Sequence, residues 1–79
     1  MIQKISEPVE VTFAQIPLSL TWAHRTYPIL KLGLHHSYRN GLTHHHVFSV
    51  VSRDLFFRIN LNTDTLHWTL EEVSDGLPD

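Results

Sequence analysis

Apolar side chains recur at every second position through most of this chain. That period of two is what a half-buried strand demands. Val9, Val11 and Phe13 alternate with Glu10 and Thr12, and Leu18, Leu20 and Trp22 alternate with Ser19 and Thr21. Leu55, Phe57, Ile59 and Leu61 alternate with Phe56, Arg58 and Asn60, and Leu66, Trp68 and Leu70 with His67, Thr69 and Glu71. No stretch sustains the i, i+3, i+4, i+7 pattern of a long helix, so the chain is expected to be all-β.

Turn residues fall between the runs. Gln15-Ile16-Pro17, Ala23-His24-Arg25, Arg39-Asn40-Gly41, Ser52-Arg53-Asp54 and Asn62-Thr63-Asp64-Thr65 each separate two apolar segments. Asn-Gly supplies the positive φ of a tight hairpin. Six strands are predicted, near 7–14, 17–23, 26–36, 43–52, 55–61 and 66–73. In the third, Tyr27 and Ile29 share one face while Leu30, Leu32 and Leu34 share the other. Such a change of parity implies a bulge near Pro28 or Leu30, or burial on both faces. Pro28 lacks a ladder donor and belongs at an edge or a bulge. The fourth strand is also apolar on both faces, with Phe48 and Val50 on one and Val47 and Val51 on the other. The expected architecture is a six-stranded antiparallel meander, forming a strongly twisted sheet or a small, partly open barrel. Its open edges would be the first or last strand.

With 79 residues the chain fits one domain, 1–79, with an ordered core over about 7–74 and a fraying tail over 75–79. A domain this small buries only about 60–65% of the surface its unfolded chain exposes, so its core is thin. The absence of cysteine excludes a disulfide scaffold, Cys-ligated zinc and thiol catalysis. Met1 to Glu7 has no apolar leader core, and no apolar run exceeds three residues, so a cytoplasmic protein without a membrane span is expected. A formal charge of −2 offers no overall basic field for a polyanion.

Histidine is the unusual component. Of seven, five crowd one hairpin: His35 and His36 before its turn, and His44, His45 and His46 after it. Alternation sets His44 and His46 on one face and His45 on the other. With His35 or His36 across from His44, three imidazoles would share a face, and His35, His44 and His46 are the candidate ligands of a Zn²⁺ with one open position. The competing reading is of surface histidines that pair across strands and bind metal only opportunistically. In either case clustered imidazoles charge together near their ordinary pKa of about 6.5, so stability is expected to fall below roughly pH 6.

No catalytic set accompanies them. Glu71 and Glu72 are adjacent and are expected to face opposite sides of a strand, which makes no acid–base pair. Asp54 and Asp64 sit in turns, Ser49 and Ser52 lack an orienting third group, and no glycine-rich phosphate loop exists. A non-enzyme is expected. Trp22 and Trp68 are in phase with the apolar face and read as core. Tyr38, Arg39, Phe56 and Arg58 remain as a surface for a ligand or partner, and exposed aromatics with arginines suit single-stranded nucleic acid.

Val9-Glu10-Val11, then Leu20-Thr21-Trp22-Ala23-His24-Arg25-Thr26-Tyr27-Pro28-Ile29, Val47-Phe48-Ser49-Val50, Leu55-Phe56-Phe57-Arg58-Ile59 and Thr63-Asp64-Thr65-Leu66-His67-Trp68-Thr69-Leu70-Glu71-Glu72-Val73-Ser74-Asp75 together resemble a family of small uncharacterised bacterial domains. Members are often encoded near error-prone, translesion DNA polymerases. The resemblance spans about 9–75, although the family places glycine where His24 stands and carries more arginine. It implies an all-β accessory domain linked to DNA repair, and it carries no catalytic residues over. Three functions compete at this point: a protein-binding module or homodimer, a nucleic-acid accessory domain, and a histidine metal site.

Overall fold

The structure, a computed structural model, describes residues 1–14 and 16–75. The fold is all-β. Its strands are β1 (Ile2–Ala14), β2 (Ile16–Trp22), β3 (Arg25–Pro28), β4 (Lys31–Asn40), β5 (Thr43–Ser52), β6 (Leu55–Asn62) and β7 (His67–Ser74). All lie in one antiparallel sheet ordered β3-β2-β1-β7-β6-β5-β4.

Seven strands replace the expected six because the segment 26–36 is two strands. Between them the chain leaves one end of the sheet and joins the other. Ile29 N donates to Leu18 O (3.0 Å) and Leu30 N donates to Val51 O (2.8 Å), so neighbouring residues bond to opposite ends of the sheet. A flat sheet cannot satisfy both bonds, and this one curls into a half-barrel. The parity change around Pro28 and Leu30 is therefore a crossover. Pro28 ends the edge strand β3, where its missing donor leaves no ladder bond unmade.

The same closure corrects the expected edges. The first and last strands are not edges but partners at the middle of the sheet, with Ile2 opposite Ser74 and Val9 opposite Trp68. The edges are β3 and β4. Pairing with β7 also extends β1 back to Ile2, well before the expected start at 7. Asp75 is held too: its N–H reaches Met1 O (3.4 Å) and its carboxylate takes the Met1 ammonium at 2.5 Å. The rest of the expected fraying tail, Gly76 to Asp79, lies outside the described residues, as does Gln15.

The core fills the concave side. Leu20, Phe48, Val50, Phe57, Ile59, Trp68, Leu70 and Val73 are buried, with Val9, Val11, Trp22 and Tyr27 packed against them. Bulges change which residues reach it. Between Thr12 and Phe13 the β1–β2 register slips, so Pro17 stands opposite Phe13 and is buried, while Leu18 is left exposed. Between Arg58 and Ile59 a second slip puts Val73 rather than Glu72 into the core. Leu66, expected in the last strand, is a loop residue at φ 60° and is exposed.

Tight turns hold the hairpins. Ala23 and His24 both have positive φ (52° and 64°), the requirement of a type I′ loop. Gly41 takes φ 64° in the β4–β5 turn. Before β7, Asn62 Oδ1 accepts from Asp64 N and Thr65 N at 2.9 and 3.2 Å, an Asx turn that spares these donors.

Candidate binding surface

Alternation along β4 and β5 sorts the histidine hairpin onto two faces. His44 and His46 point inward with Phe48, and His45 points outward with Val47. The register brings His35 opposite Phe48, Ser37 opposite His46 and Arg39 opposite His44. Thus His44 and His46 share the concave face as alternation predicts, and His35 joins them there, but the expected register is corrected: Arg39, not His35 or His36, stands across from His44. The His35 ring stacks on Phe48 at 4.3 Å and lies 5.2 Å from His46, whose ring is 5.0 Å from that of His44.

The contact between His35 Nε2 and His46 Nδ1 is a 3.0 Å hydrogen bond. One nitrogen donates and the other accepts, according to which tautomer each ring holds. Among the described residues no group of three or more His, Asp or Glu side chains is arranged to hold a metal ion. Burial, and then the neighbouring His35 and His44, hold the His46 pKa below the ordinary 6.5.

The convex face carries a second polar network. His45 Nδ1 meets Asn60 Oδ1 at 2.9 Å, and Asn60 Nδ2 donates to Tyr38 Oη (3.0 Å) and to Glu71 Oε2 (2.8 Å). Tyr38 stacks on His45 at 4.9 Å with the rings nearly parallel. Arg58 Nε lies 3.2 Å from Glu71 Oε1, and its Nη1 donates to Glu72 Oε2 at 2.6 Å. The expectation that Glu71 and Glu72 face opposite sides is therefore corrected: the bulge in β7 brings both carboxylates to one arginine. Lys4 adds a 2.8 Å bond to Glu72, and this bond, with Arg58, keeps the carboxyl below its usual range against the opposing effect of burial. Of the four expected surface residues, Tyr38, Phe56 and Arg58 share the convex face. Arg39 belongs to the concave one.

Beside this network a groove of about 400 Å³ runs across the sheet from β4 over β5 and β6 to Glu72 of β7 and Ile2 of β1. Gly33 and Ser49 form a bare floor, and Lys31, Leu34, Phe56 and Arg58 stand around it. Gly33 sits in a bulge between Leu32 and His35, where a Cβ would meet Ser49 O at 3.1 Å. Glycine lets β4 approach β5 closely there and keeps the hollow open. Leu34 and Phe56 are 74% and 45% exposed, so its apolar wall faces solvent.

The outer side of β4 completes the surface. β4 hydrogen-bonds to β5 alone, and each of its residues except Leu32 is exposed. Sequence reasoning missed Lys31, Gly33 and Leu34 because it placed them inside one long strand. A signal was available in the charges. From residue 11 to 53 there are four basic side chains (Arg25, Lys31, Arg39, Arg53) and no acid, a formal +4, whereas the remainder holds Lys4, Arg58 and all eight acids, a formal −6. A scan of family models, of curated proteins and of solved structures finds no match to this chain.

Proposed function

We propose that this chain is a non-enzymatic, cytoplasmic accessory module that binds a protein partner by accepting an extended segment along the open edge of β4. One observation carries the reading: a ten-residue strand, Lys31–Asn40, that is paired on one side only and exposed almost throughout. Unpaired N–H and C=O groups on such an edge are a template for a further strand. Proteins that must avoid this keep edge strands short or place proline on them, as β3 does here with four residues ending at Pro28. β4 is long and proline-free. The histidine hairpin stiffens it, since His35 is clamped between Phe48 and His46 and Tyr38 rests on His45. A rigid acceptor loses little conformational entropy on binding.

Selection from a library of displayed strand-forming peptides, followed by hydrogen–deuterium exchange, tests the reading. Selected peptides are expected to slow exchange at amides of β4 and to leave β1 and β7 unchanged. Peptides that bind while protecting only other strands, or a library that yields no binder, would refute it.

A further inference from the structure

We propose that the segment accepted by β4 is acidic and carries one apolar anchor residue, seated in the groove over Gly33 and Ser49. The proposal rests on the reading of β4 as a strand acceptor and names the chemistry of the partner.

The topology turns a sequence asymmetry into a spatial one. The acid-free stretch from 11 to 53 contains all of β2, β3, β4 and β5. These strands form the two ends of the sheet and carry no acidic residue of their own; the carboxylates at the rims are those of the turns, Asp54 beside β3 and Asp64, which accepts from Thr43 Oγ1 at 2.7 Å. Glu7, Glu10, Glu71 and Glu72 lie on β1 and β7 at its middle. Among the described residues every ion pair involves Glu71, Glu72 or Asp75, and Lys31 and Arg39 take part in none. Each end of β4 therefore offers an exposed cation that makes no ion pair, the two separated by roughly 25 Å of strand. An incoming strand would lie about 4.8 Å from β4, which brings its side chains within about 5–8 Å of those cations. That is inside a Debye length at physiological salt, so carboxylates there are attracted and ammonium groups repelled.

The groove supplies the apolar half of the recognition. At β4 it opens next to Lys31, with the Glu72 carboxylate at its far side held by Lys4 and Arg58, and its wall of Leu34 and Phe56 is largely uncovered. A leucine- or phenylalanine-sized side chain from the incoming strand would cover both and displace water from the bare floor.

A second copy of the chain fits less well. Its acidic strands are β1 and β7, already paired on both sides, and β4 against β4 would set basic groups against basic groups. Nucleic acid fits less well too. Two cations far apart on the strand do not match the close spacing of phosphates, and Arg58 is already held by two carboxylates.

The probes are fluorescein-labelled peptides of about nine residues, enough to span the edge. They carry glutamate, glutamine or lysine at the positions that would lie beside Lys31 and Arg39, valine elsewhere, and one phenylalanine beside Gly33. Fluorescence anisotropy with the full chain should show the glutamate peptide binding about tenfold tighter than the glutamine peptide at low salt. The two should converge near 0.5 M salt, where the Debye length is only about 4 Å. The lysine peptide should not bind, and replacing the anchoring phenylalanine by alanine should weaken binding by about tenfold. Lys31→Glu with Arg39→Glu, both on exposed side chains, should reverse the preference toward lysine. Equal affinities for all three peptides, with β4 amides still protected, would overturn the acidic partner and leave the strand acceptor standing. No protection of β4 by any peptide would overturn the strand acceptor itself. Tighter binding of oligothymidylate than of the glutamate peptide, or concentration-dependent protection of β4 without peptide, would overturn the proposal in favour of nucleic acid or of a second copy.

Discussion

Replacing Phe57 by alanine tests the packing argument most directly, because its neighbour Phe56 is a built-in control. Phe57 is 2% exposed and points into the half-barrel, with Tyr27 5.1 Å and Trp22 6.4 Å from its ring centre. Those partners come from β3 and β2, so the ring joins β6 to the far end of the sheet. Its burial is worth about 1.5–3 kcal/mol by transfer, and each ring pair adds about 0.5–1.5 kcal/mol. The expected cost of Phe57→Ala is about 3–5 kcal/mol. A domain of this length has only about 4–12 kcal/mol in total. Phe56 is 45% exposed, and Phe56→Ala should cost about 1 kcal/mol. Urea titration followed by circular dichroism reads both, with Phe57→Leu as a milder version should the alanine variant not fold. Equal costs at the two positions, or a larger one at Phe56, would refute the assignment of faces along β6 and the curl that depends on it.

Three further outcomes follow from local features. His24→Gly should raise the thermal midpoint by the equivalent of about 1 kcal/mol, since a non-glycine residue at φ 64° strains the loop; a lower midpoint would mean that the His24 side chain holds the turn. Ser52 Oγ is buried with no hydrogen-bond partner among the described residues, so Ser52→Ala should stabilise by about 1 kcal/mol in urea, and a loss would reveal a partner. Because the folded-state pKa of His46 lies below its ordinary 6.5, the unfolded chain binds more protons there as the solution acidifies. Its contribution is therefore complete above pH 6.5 and declines as pH falls through that value toward the folded pKa. The urea midpoint should drop between about pH 7.5 and pH 5.5, and His46→Phe should flatten the drop. Glu72 acts in a lower window, with stability present above its ordinary 4.5 and lost below; a drop confined to that range would assign the effect to the carboxylate instead.

Period-two alternation made most strands legible, and it placed Trp22, Phe57, Ile59, Trp68 and Leu70 in the core. It failed where a bulge shifts the phase. Leu18 and Pro17 exchange places, as do Glu72 and Val73, because one extra residue on a strand turns every later side chain over. Pairing order was not legible, since alternation says which face a residue takes and nothing about its neighbour strand. The parity change at Tyr27–Leu34 was visible, but a bulge and a crossover leave the same trace in sequence. In the candidate surface, the shared face of His44 and His46 followed from spacing alone, whereas adding His35 to it, like setting Gly33 beside Ser49 in the groove, needed a register that alternation does not give. The segregation of charge lay in plain view, hidden by a net count of −2.

The pairing of β1 with β7 has a consequence for synthesis. On a translating ribosome β1 to β3 and then β4 to β6 can form as separate hairpin sets, tethered through Ile29 and Leu30. No strand pairing joins β1 to β6 until β7 leaves the exit tunnel. Through that interval β1 and β6 each present a bare margin, and a nascent chain stalled before His67 would be a pair of sticky ribbons in need of a chaperone.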